Sequence, residues 1–412
     1  MLEMERRPQP SGPLTGTVVA DMTTSYAGPT ASMYLADLGA TVIKIERPRT
    51  GDDARTWGPP FFRETSAWFA SANRNKHSLA LDLRSEEGHE VLMRLLDRAD
   101  VFLLNTNPSK LSRLRIDHET VRARNPRLIY CAMSGFGLSG PARDLPGYDL
   151  VAQARSGLMS VTGEKGGRPQ RVSTALSDIT TGMCAAIAIN AALVRQAVSG
   201  VGEVIEVSLL DSALALMAPR IAAFQAGEPE PSPSGGTDSV LSVYQSFETA
   251  DRTIVVAIGN NDMWLRFCGV VGLPDLAADP ALADNAGRRL HRSRLITHIA
   301  NRLVTRTASE WLDRFARAGV PASLVQTLSE VVTDPQVVAR DAILPVPGTD
   351  DALVSVRSPF RLHSITEVRN ERFPDLGADT SSVMLALGYS HDEIASLSDS
   401  GAVGVCEEGA RQ

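Results

Sequence analysis

The 412-residue chain has only four cysteines, Cys131, Cys184, Cys268 and Cys406, far apart and outside any CxxC or Cys/His spacing. That pattern argues against a disulfide framework and a structural zinc site, and it suits a reducing cytoplasm. Aromatic residues make up 5% of the chain, and long runs of like charge are missing. With a net charge of −7, a nucleic-acid partner is not expected, and nothing draws the chain to an anionic membrane. No unbroken run of about 18 apolar residues stands out, and the N-terminus MLEMERRPQPSGPLTG lacks an apolar signal core. Membrane spanning and secretion are therefore not expected, and residues 1–15 read as a loose leader. The turn SYAGP (25–29) has none of the GxGxxG glycines that admit a dinucleotide pyrophosphate, so a nicotinamide enzyme is disfavoured.

What is present is a soluble globular balance, 43% apolar and 22% charged, long enough for two domains. Short β-branched runs alternate with apolar stripes at helical spacing. TVVADM (17–22) reads as a strand, Met33, Leu35 and Leu38 mark a helix stopped by Gly39, and residues 41–45 form a second strand. The alternation continues through strand 79–83, helix 86–98, strand 101–104, a helical stretch to Arg124 and strand 128–133. This predicts an α/β fold, a Rossmann-like doubly wound parallel sheet. The proline- and glycine-dense GEPEPSPSGG (227–236) reads as a linker. The expected organisation is a large domain over 1–225, completed by a returning segment 343–412, with a smaller α+β domain and its linkers over 226–342.

The stretch from Gly147 to Met183 carries the chemistry. It contains a GYD motif, a glycine-rich loop (163–167) and Ser177-Asp178 at the mouth of a long apolar helix. A carboxylate there faces unpaired N–H groups and the positive end of the helix dipole, so Asp178 is expected to stay ionised. Taken alone, an aspartate at a helix start reads most simply as an N-cap. Arg47, Arg84 and Asn105 fall at strand ends, with Arg113 on the following helix, along the sheet edge where open α/β sheets bind ligands. Each arginine by itself reads equally as a solvated surface charge.

Seven segments in order resemble the class III CoA-transferases: Ala27-Gly28-Pro29, GATVIKIERPRTGD (39–52), NKHSLALDLR (75–84), DVFLLN (100–105), SGFGLSGP (134–141), GYDLVAQARSGLMSVTG (147–163) and SDITTGM (177–183). A later PDLGADT (374–380) also fits. The resemblance implies that Asp178 is a covalent nucleophile, with Tyr148 and Asp149 beside it. It implies that coenzyme A, as an acyl-CoA substrate, is contacted by Tyr26, Arg47, Leu81, Arg84, Asn105 and Arg113. Gly235 and Gly236 stand where the family has a glycine loop that covers the site and supplies N–H donors, though here the run SGGTDS is short. Tyr26 replaces a glutamine of some relatives, which weakens a formyl-CoA/oxalate specificity. The family also implies an interlocked homodimer. The reaction expected is CoA transfer from an acyl-CoA, succinyl-CoA being a common donor, to a free carboxylic acid, with no metal.

Two alternatives stand beside it. The α-methylacyl-CoA racemases are similar but carry a histidine where this chain has Tyr148. A phenol with an unperturbed pKa of about 10 is poorly suited to removing an α-proton at neutral pH. A non-catalytic CoA-binding module is the other, disfavoured by the retained Asp178.

Overall fold

A computed structural model describes residues 12–349, 353–365 and 369–406. Most of the expected leader, residues 1–11, lies outside the described residues, as do 350–352, 366–368 and 407–412. The chain divides into two compact units, one of residues 1–158, 171–228 and 338–412, the other of 159–170 and 229–337.

The first unit is built on a seven-stranded sheet. Its strands are β1 (Val18–Met22), β2 (Thr41–Glu46), β3 (Lys76–Leu81), β4 (Val101–Leu104), β5 (Ile129–Ser134), β6 (Val204–Ser208) and β7 (Val403–Gly404), in the order β7-β3-β2-β1-β4-β5-β6. All neighbours run parallel except the short edge strand β7, which is antiparallel to β3. The order of the six parallel strands is that of a doubly wound Rossmann-like sheet, as the alternation predicts. Strand order reverses between β1 and β4, and the loops leaving their carboxyl ends define the crevice.

Side chains alternate across this sheet, and each face buries its own core. Val18 and Ala20 of β1 join Ile43, Leu79, Phe102 and the helix Glu86–Leu96 on one side. Val19, Val42, Val101, Leu103, Ile129 and Cys131 pack on the other side. There they meet helices α1 (Ala27–Asp37) and α3 (Leu176–Ser199); the short helix α2 (Asp149–Arg155) precedes α3, and α4 (Leu209–Gln225) follows β6. By length and composition α3 could cross a bilayer, although it holds no unbroken run of about 18 apolar residues. Its apolar character is divided between a core face, with Ala185 and Ile189 buried, and an outer stripe of Ile187, Val194 and Val198.

The second unit holds a three-stranded antiparallel sheet with Thr253–Ala257 between Tyr244–Glu248 and Ala322–Leu324. Helices Asn261–Val271, Arg292–Leu303 and Ala308–Arg317 supply a core that includes Trp264, Phe267, Trp311 and Phe315, successive rings lying stacked. This is an α+β arrangement.

Candidate active site

The N-terminus of α3 is capped from outside its own segment. Its N-cap residue is Ala175, which has no side-chain acceptor to offer the first-turn N–H groups. The buried Asp149, in the first turn of α2, supplies one instead: Oδ1 accepts the Ser177 N–H at 2.8 Å and lies 3.4 Å from the Asp178 nitrogen. Gln153, with no exposed surface, holds the other oxygen of Asp149 through Nε2 at 2.7 Å. Gln153 Oε1 accepts the Val172 N–H at 2.9 Å, so the irregular segment leading into α3 is tied to α2.

Asp178 is thus in the first turn but is not the cap. No described residue donates a hydrogen bond to its half-buried carboxyl group. Burial, and then the neighbouring Asp149 carboxylate, push its pKa up to about 7. The expectation that the helix dipole keeps this group fully ionised is therefore corrected: desolvation and a like charge outweigh the dipole, and near neutrality the carboxyl is shared between its two protonation states.

At the switch point the loop after β1 is held at nearly every backbone polar atom. Asp21 Oδ1 accepts the N–H and hydroxyl of Thr23, Lys44 Nζ donates to the Thr23 carbonyl at 2.8 Å, and Asp52 Oδ1 accepts the Ser25 N–H at 2.9 Å. Asn105 closes on Thr24 with both ends of its amide, accepting the N–H at 3.0 Å and donating to the carbonyl at 2.8 Å. These bonds fix Ser25 at a φ of +71°, a region costly for a residue with a Cβ.

The charges beneath this loop are buried and paired. Lys44 meets Asp52 at 2.9 Å and Lys76 lies 3.3 Å from Asp21, all four without exposed side-chain surface. Burial alone would depress the Lys44 ammonium, but Asp52 and Asp21 outweigh it and its pKa rises. For Lys76 burial wins over Asp21, and its pKa falls to about 7.

Tyr26 follows as the N-cap residue of α1, its hydroxyl 3.0 Å from Ser71 Oγ and its ring edge-on to Trp68 at 5.3 Å. The first turn of α1 meets the second turn of α3, where Gly182 approaches the Ala27 carbonyl and Thr30. This contact brings Tyr26 and Asp178 onto adjoining helix ends.

The other expected contacts are placed variously. Leu81 is buried at the end of β3, beside Val403 of β7. Exposed Arg47 donates to the Gly51 carbonyl and pairs with Asp53, while exposed Arg84 makes a two-pronged pair with Asp82. Arg113 is exposed at the end of helix Pro108–Arg113. Tyr148 is 57% exposed immediately before α2. Gly235 and Gly236 belong to the second unit, where the Gly235 N–H donates to the Gly163 carbonyl at 2.9 Å. The glycine-rich loop 163–167 belongs to that unit too, and the chain returns to the first unit at Arg171, before α3 begins at Leu176. Among the described residues there is no group of three or more side chains able to hold a metal ion.

The sequence reading did not single out Gln153, Lys44, Asp52 or Trp68. Gln153 alone had a legible signal, its spacing of four from Asp149 on one helix.

The CoA-transferase family III model matches residues 14–380. Succinyl-CoA:glutarate CoA-transferase of Homo sapiens is 36% identical over 95% of this chain and 90% of its own length. Succinate--glutarate CoA-transferase of Agrobacterium fabrum is 35% identical over 93% of this chain and 98% of its own. Among solved structures, a CAIB/BAIF family protein from Brucella suis superposes with a TM-score of 0.80 at 33% identity, covering 91% of this chain and 99% of that one.

Proposed function

The chain belongs to CoA-transferase family III and moves CoA from an acyl-CoA to a free carboxylic acid; from that premise we propose that it does so through a covalent intermediate on Asp178. The observation that carries the reading is the division of labour at the mouth of α3. Asp149 takes the cap, and among the described residues none donates a hydrogen bond to the Asp178 carboxyl group.

In the ionised form an Asp178 oxygen attacks the thioester carbonyl carbon of the donor, the C–S bond breaks, and CoA leaves as thiolate with a mixed anhydride behind it. The thiolate attacks the aspartyl carbonyl, breaking the anhydride C–O bond and freeing the donor acid as its carboxylate. The acceptor carboxylate then attacks the aspartyl thioester and expels CoA thiolate. That thiolate takes the acceptor acyl group and restores the Asp178 carboxylate. A pKa of about 7 makes Asp178 a more basic nucleophile than an ordinary carboxylate while leaving a useful ionised fraction at neutral pH. Tyr148 and Tyr26 flank this site, and Asp149 acts on it as the neighbouring charge.

CoA lies along the carboxyl edge of the sheet, with Arg47, Arg84 and Arg113 available to its phosphates and Leu81 and Asn105 at the same strand ends. Asn105 contributes by shaping the Thr24 backbone rather than by a free amide. Succinyl-CoA as donor and a dicarboxylic acid such as glutarate as acceptor are favoured by the names of the two curated relatives. An interlocked homodimer in the cytoplasm completes the reading. The exposed apolar stripe Ile187, Val194 and Val198 supports the first, and the few, widely separated cysteines support the second. The test is exchange of labelled succinate into succinyl-CoA: Asp178→Ala abolishes it while CoA binding survives, and retained exchange removes Asp178 from the reaction.

A further inference from the structure

Gln153 lies four residues after Asp149 on α2, and both ends of its buried amide are used. Nε2 donates to Asp149 Oδ2 at 2.7 Å and approaches the Thr174 carbonyl at 3.4 Å, while Oε1 accepts the Val172 N–H at 2.9 Å. The partners fix the amide's orientation: turned over, its oxygen would face a carboxylate and a carbonyl, and its NH2 would face an N–H. The side chain therefore joins three things: the carboxylate of Asp149, the backbone on which the chain enters α3, and α2 itself.

An acid in the first turn of a helix is drawn to the free N–H groups there. Asp178, at the third helical position, is such an acid, and folding back onto its own helix would remove it from any substrate. Asp149 Oδ1 already occupies the Ser177 N–H. It faces that way because Gln153 holds its other oxygen. We propose that Gln153 is a positioning residue for CoA transfer: it orients Asp149 onto the first turn of α3 and anchors Val172 and Thr174, which keeps the Asp178 carboxylate free for the thioester. The inference rests on the reading of Asp178 as nucleophile. Gln153 acts through Asp149 and the backbone, without touching substrate.

The experiment uses the full chain with Gln153→Leu, which removes both hydrogen-bonding ends, and Gln153→Glu, which keeps the shape but sets an acid against Asp149. Three quantities are read: CoA affinity, thermal midpoint, and the single-turnover rate at which succinyl-CoA labels Asp178 in the presence of hydroxylamine. The labelling rate per folded molecule falls on the order of ten- to a hundredfold in both variants, as small misplacements of a reacting group do. The steady-state loss appears in kcat rather than in KM for acyl-CoA, and CoA affinity is kept. A lowered midpoint with labelling at the wild-type rate means that Gln153 only supports the fold, and overturns the proposal.

Should neither variant fold, amide exchange at Ser177 in the unaltered protein decides. First-turn amides lack a partner within their helix and exchange fast, so a Gln153-oriented Asp149 gives a protected Ser177 N–H. Fast exchange there contradicts the proposal. Wild-type protein that transfers CoA with no label on Asp178 defeats the nucleophile reading instead, so the two failures are distinguishable.

Discussion

A Cβ added to Gly182 of α3 would come 2.7 Å from the Ala27 carbonyl oxygen and 2.8 Å from Thr30 Cβ of α1. The neighbouring oxygen is backbone in a buried helix end, so it cannot rotate away. Gly182 is one turn beyond Asp178, and Ala27 follows Tyr26. This close approach therefore sets the spacing of the two helix ends that frame the site.

Gly182→Ala accordingly forces α1 and α3 apart. Alanine is better by about 1 kcal/mol in a helix interior, yet overpacking costs about 1–3 kcal/mol, so a net loss of stability is expected. Urea unfolding measures it, and CoA exchange falls alongside. A variant more stable than wild type with full activity would show that the contact can relax.

Asp178 gives a pH dependence whose sign can be worked out. Its folded pKa of about 7 lies above the ordinary carboxylate value, so the folded state holds the proton more tightly than the unfolded chain. Stability from this group is full below the unfolded pKa, declines as pH rises, and is lost above about 7. Asp178→Asn removes that loss, stabilising the protein at pH 8 by a few kcal/mol at most and hardly at all near pH 4, as thermal melts at the two values would reveal. In the wild type, kcat/KM for acyl-CoA rises with pH through the same region, because attack needs the carboxylate.

Lys44 and Asp52 are buried as a pair, and removing one partner leaves the other charge stranded. Lys44→Met is expected to cost about 3–5 kcal/mol in denaturant unfolding, whereas Lys44→Met combined with Asp52→Asn recovers part of that loss. A double variant as unstable as the single would mean that packing rather than charge is responsible.

Arg84 and Arg113 separate binding from chemistry. Arg84→Ala and Arg113→Ala raise KM for acyl-CoA several-fold with kcat little changed, since uniform binding is what they offer. Because Arg84 must leave Asp82 to reach a phosphate, its effect is the smaller of the two. Unchanged KM in both would move the CoA path away from this edge.

Most of the sheet was readable from the sequence because β1, β2, β4 and β5 are almost wholly buried, largely apolar runs between helices, a pattern local in the chain, whereas the two-residue edge strand β7 carries no such signal. Asp178, Tyr148 and Asp149 could be nominated from the sequence because they stand in contiguous motifs. The protonation of Asp178 was not readable, since it depends on Asp149, 29 residues away, and on burial that only packing creates. Lys44 and Asp52 were hidden for the opposite reason: charged residues within and just after a strand suggest an edge or a surface, and their burial requires Asp21, Thr23 and Ser25 to converge on them. The use of Asn105 to grip Thr24 rather than to offer a free amide likewise follows from a loop 81 residues distant.

The most direct measurement is peptide mass spectrometry after brief incubation with succinyl-CoA and hydroxylamine. The account predicts a hydroxamate on Asp178, dependent on succinyl-CoA and absent from Asp149. Rapid CoA exchange with Asp178 unmodified would contradict it.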